Sequence, residues 1–363
     1  MKHKLISVAL IAVLLCMVLG SSISCTPTTT YTLTITSTAG GSVTPGVGAH
    51  TYSAGTAVNL TATPDADYVF VEWTGDVGTI ADDEDATTTI TMNGDYTITA
   101  NFALDITIIA DVPDTSQPPT VTLATTQNPP TNFCAPMAMV NVLEYWDDVI
   151  EHANAQNVTA GLIPETAAEY LGYFMDTNNT GSPNRGNGAD AHFGTWDKDI
   201  FPGTLEFVRW DIANPAVPVP PFPLPAGKLG YDWLLIPDFG VLGLPFYMAE
   251  IDAGRPLVAC FDYWNPQPVG INYTDPESGE TIDVFAWGDW VPCSYDPEEC
   301  WDDDIGHAVT GVGYILNWDP DGAGPLPVDD YVIVHDNWPT TPRNVAIPWA
   351  NWKSSHAADP GPE

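Results

Sequence analysis

NFCAPMAMVNVLEYWDDVIE, residues 132–151, sets a cysteine just before a run with helical spacing. Met139, Leu143 and Trp146 fall along one face of that run. Pro136 suits a first helical turn, where its missing N–H costs nothing. A thiol at a helix N-terminus feels the positive end of the peptide dipoles, which favours the thiolate, the nucleophilic form. Cys134 is therefore the first candidate for chemistry.

Working outward, two further helices are expected, in PETAAEYLGYFMDTN (164–178) and GTLEFVRWDI (203–212). A Pro-rich loop, ANPAVPVPPFPLPAG (213–227), and a short helix in FYMAEIDAG (246–254) follow. The remainder is strand-rich: PLVACFDYW (256–264), TIDVFAWGDWVP (281–292), HAVTGVGYIL (307–316) and DYVIVHDNW (330–338). Helices first and strands later indicate an α+β domain.

Two of these strands carry candidate partners for the thiol. His307 opens a β-run in DDDIGHAVTGVGY (302–314), and the acids before it would favour imidazolium paired with thiolate. In DYVIVHDNW, strand alternation puts Val332, Val334 and Asp336 on one face, and Ile333, His335 and Asn337 on the other. Asp336 could orient an imidazole, Asn337 could do so from a bend, and His335 is a rival base pointing away.

Upstream, residues 31–102 are rich in Thr, Gly and Val and hold no Lys or Arg. YTLTITST alternates strictly, AGGSVTPG turns, and Asn93-Gly94 reads as a hairpin turn between two strands. This predicts a small all-β module of four to six strands. The link, Ala103–Pro130, contains LDITIIADVP (104–113), a strand that could belong to the next domain.

Met1–Ser24 has the charged start and apolar stretch of an export signal, and Cys25 follows it. The segment resembles a bacterial lipoprotein signal, with Ser22 where Leu is usual; the alternative is plain secretion. That resemblance implies a lipid on Cys25 and attachment to the cell envelope.

Lys and Arg number 9 against 47 Asp and Glu, a net charge of −38, so nucleic-acid binding is excluded. With 44% apolar residues the chain is not disordered. Of the six cysteines, Cys16 lies in the signal and Cys25 at its end. Cys293 and Cys300 are close enough in sequence to close a small disulfide loop, and export permits one. Cys260 reads as a buried thiol, which leaves Cys134 without an evident partner.

Two acidic runs invite a calcium reading: Asp82, Asp83, Glu84 and Asp85, and the series Asn317, Asp319, Asp321, Gly322. The second has Val328 where a calcium loop needs Glu, although Asp329 and Asp330 follow. Solvated turns are the plainer reading of both. His152 and His192 lack Cys or His neighbours at zinc spacing. The many Trp and Tyr are read as core rather than a carbohydrate platform. No cofactor is expected.

The order Cys134, His307, Asp336 resembles that of papain-like cysteine peptidases. The nearer likeness is to the peptidase family C thirty-nine-like group, relatives of bacteriocin leader peptidases. It rests on Cys134-Ala135-Pro136, on EIDAGRPLVACFDYW (250–264), on Gly306-His307 leading to Val312-Gly313-Tyr314, and on Asp336 with Trp338. It spans roughly residues 127–352. The resemblance implies a papain-like fold over residues 131–356, with Cys134 as nucleophile, His307 as general base and acid, and Asp336 orienting it. It also implies an oxyanion donor before the cysteine: Gln127, with Asn128 and Asn132 as alternatives, beside the Cys134 N–H. Ala135 replaces the usual Gly.

Residues 31–103 resemble the divergent internalin-type B-repeat, also called the bacterial repeat domain, through YTLTITSTAGGSVTPG, GTAVNLTATPDADYVFVEWTGD and TMNGDYTITANF. That implies a surface module used as spacer or adhesin. The expected whole is a signal (1–24), a β-repeat module (31–103), a linker with a leading strand (104–130) and a papain-like domain (131–356). The expected activity is hydrolysis of peptide or protein amides at the cell surface. The rival expectation is a non-catalytic adhesion protein on a degenerate peptidase fold; a third is acyl transfer to an amine.

Overall fold

In a computed structural model of the protein, the described residues are 28–116, 133–152, 155–177, 195, 197–211, 223–231, 243–261, 266–276, 278–287, 307–322, 324, 326 and 328–350. The chain divides into two compact units: residues up to Asp65 with Phe70–Phe102, and Ala66–Val69 with Ala103 onward. The export signal, Cys25 and the proposed Cys293–Cys300 loop lie outside the described residues. Among those residues no helix is long and apolar enough to cross a membrane.

The first unit is built from β1 (Thr30–Ser37), β2 (Gly41–Thr44), β3 (Gly48–Ser53), β4 (Ala57–Pro64), β5 (Tyr68–Gly75), β6 (Thr87–Thr91) and β7 (Tyr96–Leu104). One sheet runs β3-β1-β7-β5 and the other β2-β4-β6. Alternation works as expected: Leu33 and Ile35 on β1, between threonines, and Val58, Leu60 and Ala62 on β4, between Ala57, Asn59, Thr61 and Thr63, are buried while their neighbours are exposed or half-buried. Asn93-Gly94 is a correction. β6 pairs with β4 in one sheet while β7 pairs with β1 in the other, so the turn carries the chain between sheets and closes no hairpin.

The second unit opens with β8 (Ile106–Ile108). Helices α1 (Cys134–Glu144, extended by a π-helical turn over Tyr145–Val149), α2 (Pro164–Phe174), α3 (Asp197–Arg209) and α4 (Leu244–Asp252) follow. Strands β9 (Leu257–Phe261), β10 (Pro266–Thr274), β11 (Thr281–Trp287), β12 (His307–Trp318), β13 (Asp329–His335) and β14 (Asn344–Pro348) complete it. The sheet order is β10-β11-β14-β13-β12-β8, and β9 also pairs with β12. The helices-then-strands reading holds. β10 and β14 were not anticipated, and LDITIIADVP does supply a strand of this unit, since β8 runs antiparallel to β12.

Strand β12 is the axis of the unit. One apolar core gathers Tyr247 and Ile251 of α4 with Val309, Val312 and Ile333 of the sheet. A second gathers α1, α2 and α3 and reaches the sheet at Ala308, with Val258 and Cys260 packed against it. Both glycines of Gly311-Val312-Gly313 are required by close approach. A Cβ at Gly313 would lie 2.5 Å from the Thr107 carbonyl, and one at Gly311 2.6 Å from the Tyr247 ring. The buried Tyr247 hydroxyl lies 3.0 Å from the carbonyls of both Gly313 and Ile333, and so ties α4 to two strands.

Glu144, where α1 passes into the π-helical turn, is buried. Burial, then the charges of Asp148, Glu165 and Asp147, push its carboxyl up to about 7. The native state therefore holds this proton more tightly than the unfolded chain. The resulting cost appears as pH rises from the ordinary carboxyl range through about 7. Glu144→Gln removes it: chemical denaturation at pH 8 should show a gain of about 2–3 kcal/mol, and at pH 4 almost none. An equal gain at both pH values would contradict this assignment.

Candidate active site

Cys134 is the first residue of α1. Its place is set by packing rather than by a polar cap. Phe133, the N-cap residue, makes no side-chain cap hydrogen bond; it is fully buried, and its ring fills the space over Gly172 of α2, where a Cβ would come within 2.5 Å. The Phe133 carbonyl accepts the first helical bond, from Met137 N–H at 3.0 Å.

Cys134 is a free thiol, half-buried, against the second apolar core. Main-chain groups of Ala308, Ala135 and Cys134 itself lie close enough to the sulfur to favour its ionised form. Burial outweighs them and raises the thiol above its ordinary value. The helix-start argument from sequence thus names a real local influence, but desolvation, a tertiary effect, decides the sign.

Ala308 directly follows His307, so β12 brings the imidazole-bearing residue and the sulfur into one neighbourhood. His307 is 6% exposed, and burial lowers its ring to about 4, so it is neutral at pH 7. Burial therefore acts against the ionised form of both groups, and so against the expected imidazolium–thiolate pair. The acids at 302–304, invoked for that pair, lie outside the described residues.

The His307 Nε2 lies 2.6 Å from the main-chain carbonyl oxygen of Asp336. A carbonyl at that distance requires the proton on Nε2, which leaves the lone pair on Nδ1. The indole Nε1 of Trp338 also lies 3.1 Å from Nε2. A nitrogen that bears a proton cannot accept that N–H, so Trp338 acts as a packed cover, with ring centroids 5.6 Å apart. Trp338 is itself 43% exposed, so the cover faces solvent.

Asp336 does meet His307, but through its backbone. The alternation argument fails because β13 stops at His335, and Asn337 adopts a left-handed conformation at φ +61°. The chain bends there and aims the Asp336 carbonyl at the ring. The carboxylate instead holds the bend: its Oδ1 accepts from Trp338 N–H at 3.1 Å and from the Thr341 hydroxyl at 2.5 Å. Burial pushes this carboxyl up to about 6. The nearby Asp114 also rises to about 6, from burial and then the Asp336 charge.

The other candidates separate clearly. His335 has both ring nitrogens engaged, Nδ1 at 3.1 Å from the Pro113 carbonyl and Nε2 at 3.1 Å from Asn344 Oδ1. The Asn337 side chain turns to the Ala308 carbonyl, 3.2 Å away. Gln127, Asn128 and Asn132 lie outside the described residues. Residues not singled out from sequence are Asn141 and Thr310, both fully buried. An asparagine two helical turns after Cys134, inside an apolar run, was the available signal.

The acidic runs hold their own backbone. Asp82 Oδ1 accepts from Glu84 N–H and Asp85 Oδ1 from Thr87 N–H. Asp319 accepts from Gly322 N–H, and Asp321 from Gly324 and Leu326 N–H. Among the described residues no group of three or more His, Cys, Asp or Glu is placed to hold a metal.

Residues 31–106 match the family model of the divergent InlB B-repeat domain. Such domains are typically associated with bacterial surfaces. No curated protein and no solved structure matches the chain.

Proposed function

We propose that the second unit is a cysteine hydrolase of peptide or protein amide bonds, of the papain-like type, carried outside the cytoplasm by a B-repeat module. The observation that carries this reading is the junction of three elements. A free thiol begins a helix, the main chain of Ala308, beside His307, lies against its sulfur, and a carbonyl fixes which nitrogen of His307 is basic.

In this reading Nδ1 of His307 takes the thiol proton as the sulfur attacks the amide carbonyl. The Cys134 N–H lies in the first helical turn, where no intrahelical acceptor exists, and would be one donor to the developing oxyanion; Gln127 would be the second. The tetrahedral adduct collapses, Nδ1–H protonates the leaving amine, and a thioester remains. Water, deprotonated by Nδ1, releases the acid and regenerates the thiol. The bend at Asp336 holds the ring, and Trp338 shields the Nε2 bond from water. No cofactor is needed. A lipid on Cys25 would hold the chain at the envelope.

One observation favours a non-catalytic surface adhesion or binding protein instead: burial holds the thiol up rather than down. A mixed peptide pool separates the two readings. The mature protein should cut it, producing new free carboxyl ends seen by mass spectrometry. A pool left intact under reducing conditions, with the protein folded, would favour the adhesive reading.

A further inference from the structure

We propose that Asn141 is a positioning residue for this site: its one carboxamide locks the Cys134 helix, the His307 strand and the Asp336–Trp338 bend into a single register. The inference rests on the catalytic reading for its kinetic consequence, though not for its geometry.

Asn141 lies on α1, seven residues after Cys134, so the two share a side of the helix to within one-eighteenth of a turn over two turns, by about 3.6 residues per turn. It is fully buried, and its polar atoms meet three other elements. Nδ2 donates to Asn337 Oδ1 at 2.9 Å and to the Thr310 hydroxyl at 3.3 Å. Oδ1 accepts from Thr115 N–H at 3.1 Å, on the segment that follows β8. The partners close the ring. Thr310 donates to the Ala138 carbonyl of α1 at 3.3 Å, and Asn337 Nδ2 to the Ala308 carbonyl of β12 at 3.2 Å.

Each partner adjoins a working group. Thr310 is three residues along β12 from His307, and Ala308 contacts the sulfur. Asn337 sits between Asp336, whose carbonyl takes the His307 N–H, and Trp338, which covers it. An apolar core could hold α1 on the sheet but would tolerate sliding. Directional bonds at full burial admit one register, because any slip strands a buried polar group. Misplacement by about 1 Å at a reacting centre can cost about a hundredfold in rate, so a device of this kind has a kinetic signature.

The test measures Asn141→Leu, Thr310→Val and Thr310→Ser in the full mature chain, with Ile347→Val as a control for loss of core stability. Two readouts are taken: kcat and KM on a cleaved peptide, and the 15N NMR tautomer and titration of His307. Asn141→Leu should lower kcat about a hundredfold with KM nearly unchanged. It should also shift the His307 titration as the bend loosens. Thr310→Val should lower kcat several-fold, whereas Thr310→Ser, which keeps the hydroxyl, should restore it. Ile347→Val should lose stability yet keep both signatures. If Asn141→Leu does not fold, the Thr310 pair decides the matter alone. Wild-type kcat and wild-type His307 signals in both Asn141→Leu and Thr310→Val would overturn the proposal. A wild type without turnover, but with a His307 signal that moves in Asn141→Leu, would refute catalysis and leave the positioning role standing.

Discussion

If the proposed hydrolase reading holds, Cys134→Ala is expected to abolish peptide hydrolysis, by at least about a thousandfold in kcat/KM, and to leave the protein folded. The nucleophile and its base act as a unit, so removing the sulfur removes nearly all covalent catalysis. Stability should change little, because the side chain is half-buried and its neighbours Ala135 and Ala308 are small. A loss of about 1 kcal/mol is expected in chemical denaturation. Activity that survives in Cys134→Ala would mean that another group performs the chemistry.

The second large effect is a displaced acid limb. A general base must be unprotonated in the free enzyme, and the kcat/KM profile reports its titration. Burial lowers His307 to about 4, so its basic form persists well below the ordinary imidazole range. The fall in kcat/KM attributable to His307 is expected in the carboxyl range of pH, not near 6.5. His307→Gln should lower kcat/KM at pH 7 by at least about a hundredfold. The carboxyls of Asp336 and Asp114 titrate near about 6. Asp114→Asn tests one of these carboxyls: a limb at about 6 that moves in that variant belongs to Asp114, one that stays belongs to Asp336, and only the limb at about 4 is assigned to His307. A single wild-type limb near 6.5 that vanishes in His307→Gln would show that the ring is far more solvated in solution than its burial implies.

Local signals explain what could be read in advance. Leu33, Ile35, Val58 and Leu60 alternate with more exposed Thr, Ala or Asn, so the module's strands were legible from period two alone. The start of α1 was legible because Pro136 admits only the first turn before an apolar run. Asn93-Gly94 misled because a turn sequence fixes a reversal of the chain but not which strand the next one joins. Asp336 was placed beside His307 by the order of residues, yet its working atom was missed. The bend at Asn337 depends on tertiary bonds to Asn141 and Ala308 that lie far away in sequence. The influence of burial on the pair was not legible for the same reason: the helix start can be read locally, while the burial that raises Cys134 and lowers His307 is a property of the packed sheet and helices.

The most direct measurement is transfer of an acyl group to the thiol. Wild type, Cys134→Ala and His307→Gln are mixed with p-nitrophenyl acetate at pH 7, and intact mass is followed with time. A burst of nitrophenol should accompany one acetyl group on wild type, mapped to Cys134. Cys134→Ala should show none, and His307→Gln should acylate at least about a hundredfold more slowly. Acetylation of Cys134 at equal rates in wild type and His307→Gln would contradict the claim that this histidine serves this cysteine.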